Sequence, residues 1–128
     1  MARQFGLLSV AAGALIAGAG AASAADVTPA EAARLLARPG VIALDVRTPQ
    51  EFDAGRLAGA VNIDYRAADF ASAVARLDPD AQYVLYCRSG RRSAGALAVL
   101  RKAGINKVDH LATGILGWRA AGLPTVDD

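Results

Sequence analysis

The sequence has one cysteine, Cys87, and one histidine, His110. A lone cysteine excludes an intramolecular disulfide framework and any redox centre that needs a second thiol in the chain. So few Cys and His ligands do not make a zinc site, and neither a metal nor another cofactor is expected. A cysteine hydrolase needs a histidine base, available only if the fold brings His110 to Cys87; His110 is read instead as an ordinary strand residue near a sheet edge. A long basic tract is also missing. The 128 residues hold 14 Lys and Arg against 12 Asp and Glu, which argues against nucleic acid as a partner. No internal repeat is present, and the length suits one core rather than two.

Charge is nearly absent from the N-terminal segment, where Arg3 alone precedes Asp26. An apolar run from Phe5 to Ala22 ends in Ala22-Ser23-Ala24. A positive start, an apolar middle and small residues before a cut predict a secretory signal peptide over residues 1–24. Residues 25–128 are then the folded domain, in a periplasmic or secreted protein. The competing reading is a retained membrane anchor, but the run is mostly Ala and Gly, and no cysteine near the cut offers a lipid attachment. No stable membrane anchor is expected after cleavage. In an exported domain, an odd cysteine is either a reactive thiol or a small buried hydrophobe, and its position must decide.

Thr28-Pro29-Ala30-Glu31 carries a capping box and predicts a helix to about Arg38, ended by Pro39-Gly40. Val41–Val46 follows as a buried strand. Thr48-Pro49-Gln50-Glu51 repeats the capping signature. Further strands are expected at 60–63, 83–86 and 107–111. Helices are expected at 67–77, 93–103 and 116–121, the second ended by Gly104. Alternating strands and helices give an α/β class with a mainly parallel sheet flanked by helices on both faces. Ligand sites in such sheets lie beyond the carboxyl ends of the strands. Cys87 directly follows the strand Tyr83–Tyr86, a place for chemistry rather than core packing.

Cys87-Arg88-Ser89-Gly90-Arg91-Arg92-Ser93 joins that strand to a helix start. Such a loop turns several backbone N–H groups into one concavity that holds an anion. Arg88, Arg91 and Arg92 add positive charge, and a thiolate in these surroundings has a lowered pKa and is the nucleophile. Gly90 permits the tight curl. Ser93 is expected to cap the helix, and its hydroxyl is placed to donate toward the sulfur. One thiolate and an oxyanion cradle serve two reactions, sulfur transfer and phosphoryl transfer.

Four segments resemble rhodanese-like domains in family order: Leu44-Asp45-Val46-Arg47-Thr48-Pro49-Gln50-Glu51-Phe52; Gly55-Arg56-Leu57-Ala58-Gly59-Ala60-Val61-Asn62-Ile63; Tyr86 to Ser93; and Leu111-Ala112-Thr113-Gly114-Ile115-Leu116-Gly117-Trp118. The chain departs from the family pattern at Arg56 and Ala58, where histidine and proline are usual, and at Thr113, where glycines are paired. The resemblance implies a rhodanese-like fold and a sulfurtransferase. Cys87 would take the outer sulfur of a small anionic donor such as thiosulfate, and the persulfide would pass it to cyanide or a thiol. Backbone N–H groups of residues 88–92 would hold the sulfur, the arginines would attract the sulfonate, and Ser89, Gly90 and Ser93 complete the binding loop. Asp45, Arg47 and Glu51 would support that loop through ion pairs and caps, and Trp118 would belong to the core. Cysteine phosphatases space their cysteine and phosphate-clamping arginine by five residues, which falls on Ser93. The alternatives, a cysteine-dependent phosphatase or arsenate reductase, or a binding module without turnover, fit the loop less well.

Overall fold

The computed structural model describes residues 24–127; all of the expected signal segment except Ala24 lies outside them. Five strands form one parallel sheet among the described residues: β1 (Ala24–Val27), β2 (Val41–Asp45), β3 (Val61–Asn62), β4 (Gln82–Tyr86) and β5 (Val108–Leu111), in the order β1-β5-β4-β2-β3. The helices are α1 (Pro29–Leu36), α2 (Pro49–Ala54), α3 (Phe70–Val74), α4 (Arg91–Lys102) and α5 (Gly114–Ala120). This is the α/β class expected, with a parallel central sheet.

Strand alternation divides the core in two. Leu44, Val46, Tyr83, Leu85, Cys87 and Val108 face α3 and α4, where Phe70, Val74, Ala96 and Leu100 cover them. Ala43, Val84, Tyr86 and Leu111 face the other way, against Ala32 of α1 and Ile115 and Trp118 of α5. Helices thus cover both sheet faces, and β4 lies at the centre. Both capping boxes form: Thr28 and Glu31 close α1, and Thr48 and Glu51 close α2.

Several boundaries differ from expectation. The helix expected over residues 67–77 is a single turn, α3, whose buried Phe70 and Val74 hold it; Asp69 supplies no side-chain cap. The helix after the cysteine starts at Arg91 rather than Ser93, and the last helix at Gly114 rather than Leu116. The strand expected at 60–63 shortens to two residues. β1 is an added edge strand. Its Ala-Ala-Asp-Val has little strand character and forms by pairing with β5, Asp26 opposite His110.

Candidate active site

Cys87 leaves the carboxyl end of the central strand and turns directly under the start of α4. The turn is completed by Gly90, at φ 105°, which is the N-cap of α4. A side chain there would also collide with the Ala112 carbonyl oxygen, 2.0 Å from the position a Cβ would take. The curl aims donors at the sulfur. The Gly90 N–H donates to Cys87 Sγ over 3.0 Å, and Ser93 Oγ lies 3.3 Å from it. Cys87 is 1% exposed, and burial alone pushes a thiol up. The Ser93 hydroxyl and the backbone N–H groups of Ser93, Gly90 and Ser89 outweigh burial and hold Cys87 below its ordinary value. Ser93 does not cap the helix. It sits in the first turn, where a hydroxyl points back toward the loop, and reaches the Gly90 carbonyl at 3.2 Å as well as the sulfur.

The loop is held open from outside by α5. The Ile115 and Leu116 N–H groups donate to the carbonyls of Cys87 (3.0 Å) and Arg88 (3.1 Å). With those carbonyls engaged on the outer side, the loop N–H groups are left to face the sulfur. Gly114 makes this approach feasible: it has φ 66°, and a Cβ would come within 2.2 Å of the Arg88 oxygen. Thr113 is accommodated because its side chain lies over Gly117, where a Cβ would come within 2.1 Å of Thr113 Oγ1. Arg56 stacks on Phe52, 4.7 Å from the ring centroid, and its backbone pairs with Val126. Ala58 is exposed.

The arginines divide into two groups. Arg92 makes a two-point ion pair with Glu51, 2.7 and 3.0 Å, and this contact lowers the Glu51 carboxyl to about 2. Arg47 is buried against Asp45 at 2.6 Å and also donates to the Gly55 carbonyl at 2.7 Å. These two side chains brace α2 and the β2 end against the loop. Arg88, Ser89 and Arg91 are exposed. Arg88 lines a hollow of about 230 Å³ together with Arg47, Glu51, Ala54, Ile115, Leu116 and Arg119. Arg119, which no local motif singles out, lies across the glycine at position 55, its Nη2 2.7 Å from where a Cβ would be. Trp118 is core, with its ring N–H donating to the Pro124 carbonyl at 2.8 Å.

His110 is more than a strand residue. It is 4% exposed, and its Nε2 lies 2.7 Å from Ser93 Oγ. Its Nδ1 lies 3.1 Å from Asp26 Oδ1. The sheet register explains both contacts. His110 is paired with Leu85 on β4 and Asp26 on β1, so its side chain shares the face of Leu85 and Cys87, beneath α4. Among the described residues, no group of three or more His, Cys, Asp or Glu gathers in a metal-binding cluster.

The model of the rhodanese-like domain family matches residues 28–121. A Synechocystis protein is 36% identical over 78% of this chain, which spans 55% of that protein. A Mycobacterium tuberculosis relative, 40% identical over 77% of this chain, is only 25% covered by it. The chain thus spans about half or less of these longer relatives. It covers 84% of the Pseudomonas putida thiosulfate sulfurtransferase GlpE, at 34% identity over 73% of this chain. The crystal structure of a rhodanese-related protein from Thermoplasma volcanium superposes with a TM-score of 0.72 at 30% identity, covering 81% of this chain and 99% of that one.

Proposed function

The chain belongs to the rhodanese-like domain family, and on that premise we propose that it is an exported sulfurtransferase that carries sulfur on Cys87. The observation that carries this reading is the sulfur of Cys87, held by the Gly90 N–H and reached by the Ser93 hydroxyl beneath a helix start. The Cys87 thiolate attacks the outer sulfur of thiosulfate. The donor S–S bond breaks, sulfite leaves with its electron pair, and Cys87 carries a persulfide. Cyanide or an acceptor thiolate then attacks the outer sulfur, and the Cys87 thiolate departs, restored. Arg88 and Arg119, at the hollow beside the loop, provide the positive charge that draws the sulfonate. Relatives that include thiosulfate sulfurtransferases support the substrate class.

Ser93 stands where a cysteine phosphatase would place its phosphate-clamping arginine. Its hydroxyl is spent on the sulfur, Gly90 and His110, while Arg92 is held by Glu51. A phosphoryl transition state spreads charge over three equatorial oxygens, and losing one such donor typically costs about a hundred-fold or more in rate.

The test is intact mass after thiosulfate, followed by thiocyanate formation from cyanide. The expected result is a gain of one sulfur atom and turnover, both lost in Cys87→Ser. Cys87-dependent hydrolysis of an aryl phosphate without thiocyanate would overturn the assignment. A folded protein with neither activity and no persulfide would make it a binding module.

Export removes residues 1–24 in this reading, a cut inside β1 that takes away Ala24, opposite Val108, and leaves Ala25–Val27 with Asp26 opposite His110. N-terminal sequencing of exported protein is expected to start at Ala25 or Asp26; a membrane-fixed chain starting at Met1 would refute it.

A further inference from the structure

We infer that His110 is a positioning residue for the sulfur chemistry. It acts through Ser93 as the proton store of Cys87, with Asp26 backing the imidazole. The inference rests on Cys87 being the nucleophile. Four groups form one hydrogen-bonded line: Cys87 Sγ to Ser93 Oγ (3.3 Å), Oγ to His110 Nε2 (2.7 Å), and Nδ1 to Asp26 Oδ1 (3.1 Å). Cys87, Ser93 and His110 are buried, at 1%, 0% and 4% exposure, so water does not readily replace the two links between them, whereas the Asp26 side chain is 72% exposed and meets the ring at the surface. The line crosses three adjacent strands and one helix, so the fold, not a local motif, assembles it.

Ser93 has one hydroxyl hydrogen and three acceptors in reach, Cys87 Sγ, His110 Nε2 and the Gly90 carbonyl at 3.2 Å, so it serves one of them at a time. With the cysteine as a thiol and the imidazole neutral, Sγ–H donates to Oγ, Oγ–H to Nε2, and Nδ1–H to Asp26. Moving one proton along the line breaks S–H and makes Nε2–H. The imidazolium then donates to Oγ, and Oγ–H donates to the thiolate. Every link remains satisfied in both arrangements, and the proton count is unchanged. The line thus offers the proton leaving Cys87 a place on His110, facing the Asp26 carboxylate. When the imidazolium in turn gives up its proton, Nε2 competes for the Ser93 hydrogen, and the thiolate loses a donor. A less hydrogen-bonded thiolate is the stronger nucleophile.

Register and hydrogen bonds place the following groups at the ring. From β1 there is Asp26, from α4 Ser93 with Cys87 behind it, and from β4 the register partner is the apolar Leu85. Asp109, next in the chain, points to the opposite face and accepts from Gln82 Nε2 at 3.1 Å.

Cys87 alkylation by iodoacetamide, followed against pH, tests the inference without sulfur transfer. Wild type is expected to give two steps, because coupled sites titrate as a pair. His110→Gln is expected to give one step. Ser93→Ala is also expected to give one step, moved upward by about one pH unit through loss of a donor to the sulfur. Because the chain has a single histidine, its ring nitrogen NMR signals are unambiguous. They are expected to move when Cys87 is alkylated in wild type, and not in Ser93→Ala; this measurement stands if His110→Gln does not fold. A wild-type profile superimposable on that of His110→Gln, or ring signals indifferent to the state of Cys87, overturns the inference. Failure of the sulfurtransferase reading would appear separately, as absence of a persulfide with normal two-step alkylation.

Discussion

Arg92 and Glu51, 41 residues apart in sequence, are joined by two hydrogen bonds of 2.7 and 3.0 Å, linking the first turn of the helix after the cysteine to the first turn of α2. The same Glu51 also closes the capping box with Thr48. One carboxylate therefore caps a helix and braces the reactive loop.

The pair predicts how two substitutions behave. Arg92→Ala and Glu51→Gln are both expected to raise KM for thiosulfate by a similar few-fold, because each loosens the same brace. Were Arg92 a direct clamp on the donor, Glu51→Gln would release it and lower KM instead. Steady-state kinetics on both variants separates the two outcomes.

The same contact sets a pH dependence. Glu51 titrates at about 2, below its ordinary 4.5. A depressed carboxyl contributes stability above its unfolded value, and that stability is lost as pH falls from about 4.5 toward 2. Solvent screening at this partly exposed pair leaves a contribution of about 1 kcal/mol. Urea unfolding of wild type and Glu51→Gln is expected to differ by that amount at neutral pH and to converge toward pH 2.

Gly114→Ala is expected to destabilise the domain by about 3 kcal/mol and to depress sulfur transfer, combining a positive-φ position with a collision against the Arg88 carbonyl. Gly104→Ala, also at positive φ (83°) but with open space around it, is expected to lose less stability and to keep its activity. Chemical denaturation and thiocyanate assays on both variants check this.

Arg119→Gln is expected to raise KM for thiosulfate by about three- to ten-fold while leaving kcat nearly unchanged, since charge at the mouth of the hollow acts on encounter and ground-state binding. Added salt should raise the wild-type KM toward that of the variant. A salt-independent KM in wild type would contradict this role.

Cys87 is expected to be alkylated with a first midpoint below the free-thiol value of about 8.5, because hydrogen bonds from Ser93, Gly90 and Ser89 outweigh its burial. Sulfur transfer should fall as pH drops through that midpoint, where the thiolate takes up its proton. Matching the pH profile of kcat/KM to that of alkylation checks the assignment.

By itself the sequence determined whatever rests on near neighbours. The two capping boxes are written within four residues each, at Thr28–Glu31 and Thr48–Glu51. The run Tyr83–Tyr86 followed by Cys87 and a glycine-containing basic loop already puts the thiol at the carboxyl end of a strand, while its place in the core beneath α4 came only with the fold. Gly90 is legible because only a residue tolerant of positive φ turns the chain there. Tertiary structure alone decided the partners. Asp26 meets His110 across 84 residues, through an edge strand with no local signal, and Arg92 is taken from the anion by Glu51. Gly114 and Arg119 matter only because α5 docks on the loop and beside residue 55. Hydrogen bonds and ion pairs select partners by position in space, and no periodicity or propensity in a short window carries the distance between segments that the sheet brings together.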